Sequence, residues 1–345
     1  MQAAPHARGA RGFRGFLGAL VLTVLVLGGL MLALNRLVDP LWHFQGNQLT
    51  GTNLVLNERQ SKLNQLLRNP DAYDCLIFGT SRTTLMHTAA FRQNRCFNLA
   101  FSAGQPREFV AYARYLAHMG IEPEVVYVAI DARNMRTALP PPDVPPHVAT
   151  LGQPRHWLVD YLSVDSVLFS VRTLVDASSL VRRYDSDFQA IIGPHGPYRI
   201  PGAVTAHGIA LAPDAARPWV RLADIFPQAR MVGYVPPLAG WRCLRELTPE
   251  NLETYLSTLR RIAMAYDRVV DFSVPSPVTQ ALDNTYDGSH YDLAVNARVA
   301  RRLETGTDDP DEAFGVTVDP RRLQDLRDAW QAGFQSIRAH TRLIE

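Results

Sequence analysis

Five short apolar runs recur along the 345-residue chain with helix-length stretches between them. They are "YDCLIFG" (73–79), "RCFNLAF" (95–101), "EVVYVAID" (124–131), "ARMVGYV" (229–235) and "RVVDFSV" (268–274), most of them rich in residues that suit strands. Between them lie stretches long enough for helices, such as "PREFVAYARYLAHMG" and "TPENLETYLSTLRRIAMAYD". Parallel strands need a crossover connection, usually a helix, and a sheet built this way is covered on both faces. The alternation predicts an α/β fold with three layers, α/β/α, around a mostly parallel five-stranded sheet. At 47% hydrophobic content, a chain of this length can bury a substantial core.

The N-terminus adds a second constraint. The nineteen residues from Phe16 to Leu34 carry no charge, close to the length a helix needs to cross a hydrocarbon layer of roughly 30 Å. Arg8, Arg11 and Arg14 precede them. Short cytoplasmic flanks retain arginine and lysine, which places the N-terminus inside and everything after Asn35 outside. A cleaved signal peptide is the rival reading, but its apolar stretch is usually shorter and ends in a small-residue cleavage site. Here the stretch runs on into "NRLVDPLW". The expected organisation is a cytoplasmic tail (1–15), a transmembrane anchor (16–38), a polar linker and amphipathic helix (39–72), the α/β domain (73–305) and a helical C-terminal extension (306–345).

Two stretches interrupt the alternation. "RTALPPPDVPPHVATLGQP" is proline-rich and predicts a loop. Residues 185–215 are rich in Gly and Pro without a clear period, which suggests an insertion serving as a lid. In the C-terminal extension Leu323, Leu326, Trp330 and Phe334 recur at helical spacing, an apolar face for the domain or for a partner.

Composition excludes several functions. The formal charge is +2, and 34 of the 35 basic residues are arginine, Lys62 being the one lysine. The arginines are scattered among acids without a basic stripe, so no nucleic-acid partner is expected. The three cysteines and ten histidines form no cluster with metal-ligand spacing, and no cofactor is implied. The cysteines read as small buried residues, although Cys75 and Cys96 can pair outside the cytoplasm if they start neighbouring strands.

"DCLIFGTSRTTL" (74–85) carries the candidate chemistry. In an open parallel sheet, ligands bind at the carboxyl ends of strands near the point where strand order reverses, and Ser81 stands at the end of the first strand. Gly79 permits a tight exit. A following helix would turn its positive end and N–H groups toward the serine. Ser and Thr are equally favoured as helix caps, which would give Thr80, Ser81, Thr83 or Thr84 a structural role only. A serine needs a base, and "LDNTYDGSHYDLAVN" (282–296) follows the fifth strand. If a helical turn begins there, the three-residue spacing sets Asp287 and His290 on one face, the carboxylate orienting the imidazole whose other nitrogen faces Ser81. The α/β-hydrolase elbow is excluded, since Ser81 is followed by Arg82 and Thr83 rather than x-Gly.

A serine after the first strand and Asp-x-x-His after the last resemble the SGNH (GDSL-like) hydrolase superfamily over residues 74–305. "FNLAFSAGQ" is similar to its second block. The resemblance implies a Ser81, Asp287 and His290 triad and an oxyanion held by the amides of Ser81 and Gly104. Asn98 in that block, together with Arg82, is a candidate for substrate binding. The first block reads Gly-Thr-Ser for the usual Gly-Asp-Ser. The third reads "VAIDARNM" where Gly-x-Asn-Asp is usual; Asn134 is a candidate oxyanion donor there, whereas an ionised Asp131 cannot donate and can instead pair with Arg82. Anchor, "GTSR", "FNLA", Gly104 and "DGSHY" together look like membrane-anchored, extracytoplasmic SGNH-like proteins. The resemblance implies a bacterial inner-membrane protein whose main domain is periplasmic. Its activity would be that of an esterase or O-acyltransferase on acyl esters, including those of envelope glycans. The alternative is a catalytically inactive scaffold or binding subunit of an envelope assembly with protein partners. A phosphate-binding, flavodoxin-like receiver lacks the glycines or acids its first turn would need.

Overall fold

A computed structural model of the chain describes residues 6–175, 183–191, 196–200, 206–307 and 314–341. It opens with α1 (His6–Val38), within which Phe13–Val38 is long and apolar enough, by length and composition, to cross a membrane, with a mean hydropathy of 2.6. The hydroxyl of Thr23 donates to Ala19 O within the helix, so the one polar side chain in the middle of that apolar segment is satisfied internally. There follow β1 (Asn53–Leu54), α2 (Glu58–Arg68), β2 (Cys75–Phe78), β3 (Cys96–Asn98), α3 (Pro106–His118) and β4 (Val125–Ala129). The middle of the chain holds the short α4 (Pro146–Ala149) and α5 (Trp157–Tyr161), then α6 (Val164–Val175), β5 (Arg183–Tyr184) and β6 (Ala190–Ile191). The last third supplies α7 (Arg217–Ala223), β7 (Arg230–Val235), α8 (Gly240–Glu246), α9 (Pro249–Ala263), β8 (Arg268–Asp271), α10 (Pro277–Gln280), α11 (Leu293–Thr305), β9 (Val316–Thr317) and α12 (Leu323–Thr341).

The fold is mixed α/β, and its main sheet has six strands in the order β3-β2-β4-β7-β8-β9. The first five are mutually parallel and fall inside the five apolar runs; β9 adds an antiparallel edge beside β8. The expectation of five strands is therefore corrected to six. A two-residue strand carries too little alternation to be read from sequence, and its placement in this sheet also carries the domain past residue 305. A second, antiparallel sheet, β1-β5-β6, draws residues 183–191 onto the segment after α1. Nor are residues 39–52 a simple polar linker. Asp39, Leu41, Trp42 and Asn47 are buried, and the Asp39 carboxylate accepts from Phe44 N, Gly46 N and the Tyr161 hydroxyl.

Strand residues alternate between two core clusters, as the two-residue period of a pleated strand requires. Leu76, Phe78, Val126 and Val128 pack with Phe109 of α3, Trp219 of α7, Tyr255 of α9 and Trp330 of α12. Ile77, Tyr127, Val232 and Tyr234 pack with Val295, Val299 and Leu303 of α11. Cys75 and Cys96 start the paired strands β2 and β3 and form a disulfide across a Cα–Cα distance of 4.2 Å, so they are bridged rather than simply buried thiols.

The C-terminal helix belongs to this core. Trp330 is fully buried, and its indole N–H donates to Asp271 at 3.2 Å. Burial pushes the Asp271 carboxyl up, against donors from Ser273, Tyr255 and Trp330. Gly240 and Gly333 let α12 approach closely, since a Cβ at either would press on Ile337 or Pro275. Trp330→Ala is expected to destabilise the detergent-solubilised chain by about 3–5 kcal/mol in guanidinium unfolding. A loss no larger than about 0.5 kcal/mol, the scale of surface changes, would mean α12 is not core.

Candidate active site

Strand order reverses at β2, which has β3 on one side and β4 on the other, and Ser81 leaves the carboxyl end of that strand. Gly79 makes the exit: a Cβ there would overlap the Thr83 side chain. Thr83 is fixed by its N–H to Thr80 O (2.9 Å) and by the Tyr234 hydroxyl, which donates to its Oγ1 at 2.9 Å. Asn98, at the end of β3, donates from Nδ2 to Thr83 O and Met86 O, both at 2.8 Å, and accepts from Ala100 N. Two short 3₁₀ turns, Thr83–Leu85 and Thr88–Ala90, follow the serine in place of the expected helix. Turns this short supply no macrodipole, and the loop is held instead by side-chain clamps from β3 and β7.

His290 reaches this loop from 209 positions away. Ser81 Oγ lies 2.8 Å from His290 Nε2, and His290 Nδ1 lies 2.9 Å from Asp287 Oδ2. A carboxylate can only accept, so Nδ1 donates to Asp287, and the tautomer protonated there leaves the Nε2 lone pair for the serine hydroxyl. Asp287 and His290 do not sit on a helical turn as expected. They sit in a loop pinched by the Thr285–Tyr291 bridge, with Gly288 at φ +75° where a Cβ would also press on Trp241. The pair still meets because Asp287 Oδ1 accepts from Ser289 N and His290 N, both at 2.8 Å, which folds the loop about the carboxylate.

The other predicted residues take supporting positions. Gly104 lies beside the serine loop, and a Cβ there would come within 2.7 Å of Gly79 O, so only glycine allows this approach. Its N–H closes a turn to Phe101 O at 3.0 Å, and its carbonyl accepts from Asn134 Nδ2 at 2.9 Å. Asn134 lines a separate groove with Arg107, Arg136, Arg217 and Arg221, away from the serine. Arg82 does not face the cleft: it is buried against Asp131 at 2.8 Å, with Thr80 Oγ1 and Arg133 N also on that carboxylate. Asn98 has both ends of its amide in the clamp described above.

Ser81 and His290 open into a cleft of about 800 Å³. Its walls come from the start of α2, from Ser102, from Asp143–His147 of the proline-rich stretch, and from Arg155 and Phe169. That stretch is not loop throughout, since Pro146–Ala149 forms one helical turn. Glu108, fully buried at the start of α3, ties it down by accepting from Asp143 N and Gln105 N while holding Arg59 in a two-pronged pair. Within the expected 185–215 lid, 192–195 and 201–205 lie outside the described residues, and none of its described residues lines the cleft. No family model matches the chain, and no curated protein matches it.

Sequence reasoning missed Glu58 and Lys62. Glu58 accepts from Ser102 N and from the Tyr184 hydroxyl, and buried Lys62 donates to Ala100 O at 2.7 Å, so both brace the second block beneath the serine. The available signal was that Lys62 is the sole lysine of an arginine-rich chain.

Burial pushes the Asp287 carboxyl up, but the His290 hydrogen bond and charge and the two backbone N–H groups outweigh it and hold the group well below the usual carboxylate range. A depressed folded-state pKa means the contribution to stability is complete above the unfolded value of about 3.9 and is lost as pH falls through the folded value. Asp287→Asn should therefore lower the thermal midpoint at pH 7, with the gap to wild type narrowing only below about pH 3.9. A gap constant down to pH 2 would show that the loop does not use the charge.

Proposed function

We propose that the chain is a membrane-anchored SGNH-like serine esterase or O-acyltransferase acting on acyl esters of the cell envelope. The observation that carries this reading is the unbroken Ser81–His290–Asp287 chain at 2.8 and 2.9 Å, opening into the cleft. His290 takes the Ser81 proton as Oγ attacks the acyl carbonyl carbon; the ester C–O bond breaks and the leaving oxygen receives that proton from Nε2. Water or a sugar hydroxyl, deprotonated in turn by His290, then releases the acyl group. In this reading the two core clusters belong to a three-layer α/β/α domain, α1 is a single span with a cytoplasmic N-terminus, and the domain is periplasmic in a bacterial inner membrane. The Cys75–Cys96 bridge supports an oxidising compartment.

A second reading, a scaffold or binding subunit of an envelope assembly that keeps the fold without turnover, is favoured by the Gly104 N–H and the Asn134 amide. Both are engaged internally rather than directed at an oxyanion. In the detergent-solubilised full-length chain, Ser81→Ala is expected to abolish labelling by a fluorophosphonate probe and to lower release of acetate from model esters roughly 10⁴- to 10⁶-fold. Labelling that persists in the variant would refute the nucleophile; a folded wild type that neither labels nor turns over, and that co-purifies with membrane proteins, would favour the scaffold.

A further inference from the structure

Helix α6 buries the face that a helix in water would expose. Its buried positions are the small polar Ser166, Ser170 and Thr173, whereas Val164, Leu168, Val171, Leu174 and Val175 are 39–77% exposed. Leu158, Val159 and Leu162, in and just after α5, extend the same exposed apolar surface. Small residues at a helix contact with aliphatic residues facing outward is the pattern of helices packed in lipid, where apolar side chains gain nothing by pointing inward.

The buried face is turned to α1. Ser170 Oγ donates to Asn35 Oδ1 at 2.7 Å, Asn35 Nδ2 donates to Tyr161 O at 2.9 Å, and a Cβ on Gly28 would meet Leu162 at 3.9 Å. These contacts run from Gly28 to Asn35, so α5 and α6 lie beside the apolar segment rather than beyond its end. The stretch from Gly28 to Val38 rises roughly 16 Å, about half the hydrocarbon thickness. The charges of α6 are confined to its ends, Asp165 in the first turn and Arg172 in the last, where they complement the helix dipole. Arg36 stacks over Phe44 at 3.9 Å and Phe44 meets Trp157 at 5.5 Å, a cation and aromatic group of the kind that marks a membrane surface.

We propose that α5 and α6 form a second membrane-inserted element, seated against α1 in the leaflet nearest the domain, with lipid acyl chains covering Leu158, Leu162, Leu168, Val171 and Leu174. The proposal rests on α1 being a span and is independent of whether Ser81 turns over an ester. It also sets the position of the cleft. Phe169 of α6 and Arg155 just before α5 line the Ser81 cleft, so its entrance lies at headgroup depth and takes a substrate held at the membrane surface.

Single cysteines at Leu168→Cys and Val171→Cys, labelled with an environment-sensitive fluorophore, test this in the full-length chain. The chain is reconstituted in phosphatidylcholine–phosphatidylglycerol vesicles, with the parent chain as background. A label at Leu25→Cys reports the span, and one at Met264→Cys, 70% exposed on the domain, reports water. The expected result is at least twofold quenching by nitroxide-bearing lipid at 168 and 171, as at 25, with aqueous iodide quenching only 264. Iodide quenching at 168 and 171 beside lipid quenching at 25 would overturn the insertion and leave the span. Iodide quenching at 25 as well would overturn both. Fluorophosphonate labelling of the same reconstituted samples reads the Ser81 chemistry separately.

Discussion

The Ser81–His290 contact is the constraint on which the site depends, because it closes across strands that are not neighbours. β2 and β8 stand three positions apart in the sheet, roughly 14 Å at the usual strand spacing. The loop after β8 must therefore cross the carboxyl edge and stop at a fixed depth. Gly288 gives the loop its sharp bend, and Asp287 gathers two backbone N–H groups and the imidazole, so one carboxylate shapes the loop and orients the base. On the other side, Asn98 and Tyr234 hold the short turn after Ser81. Hydroxyl and imidazole are thus each fixed by strands of the same sheet, and the distance between them follows from sheet geometry.

The five parallel strands were legible because each falls in a short, largely apolar run set off by helix-length stretches. Asp287 and His290 were legible as a pair by their spacing, although the spacing suggested a helical turn and the molecule uses a left-handed glycine and a capping carboxylate. Trp330 and its neighbours announced α12 by period, but whether they faced the domain or a partner was set by tertiary contact. β9 is too short to leave a pattern. Arg82 was readable either as a ligand residue or as the partner of Asp131, and the buried pair at 2.8 Å takes the second form. Asn98 looked like a ligand residue because a polar side chain beside a serine invites that reading, whereas its amide donates to the carbonyls of Thr83 and Met86. The bracing by Glu58, and that of Arg59 and Asp143 by Glu108, depends on contacts across the fold that leave no local trace.

The segment between α1 and the rest of the fold behaves as a joint rather than a tether. Asp39 fastens the turn after α1 to Tyr161, Asn35 fastens the helix itself to α5 and α6, and Asn53 donates to Asp39 O at 2.9 Å. A flexible linker would let α1 swing freely against the domain. Here the hydrogen bonds fix α1 in one orientation, and the wall of the cleft that includes Phe169 is part of the joint.

Lys62 lies wholly inside the fold with its ammonium on Ala100 O and near the rings of Tyr184 and Phe188. As the sole lysine, it leaves the native surface without a side-chain primary amine. Acylating dyes and bifunctional succinimidyl linkers can thus reach only the α-amino group until the interior opens, which makes lysine modification a built-in gauge of unfolding at the heart of the domain.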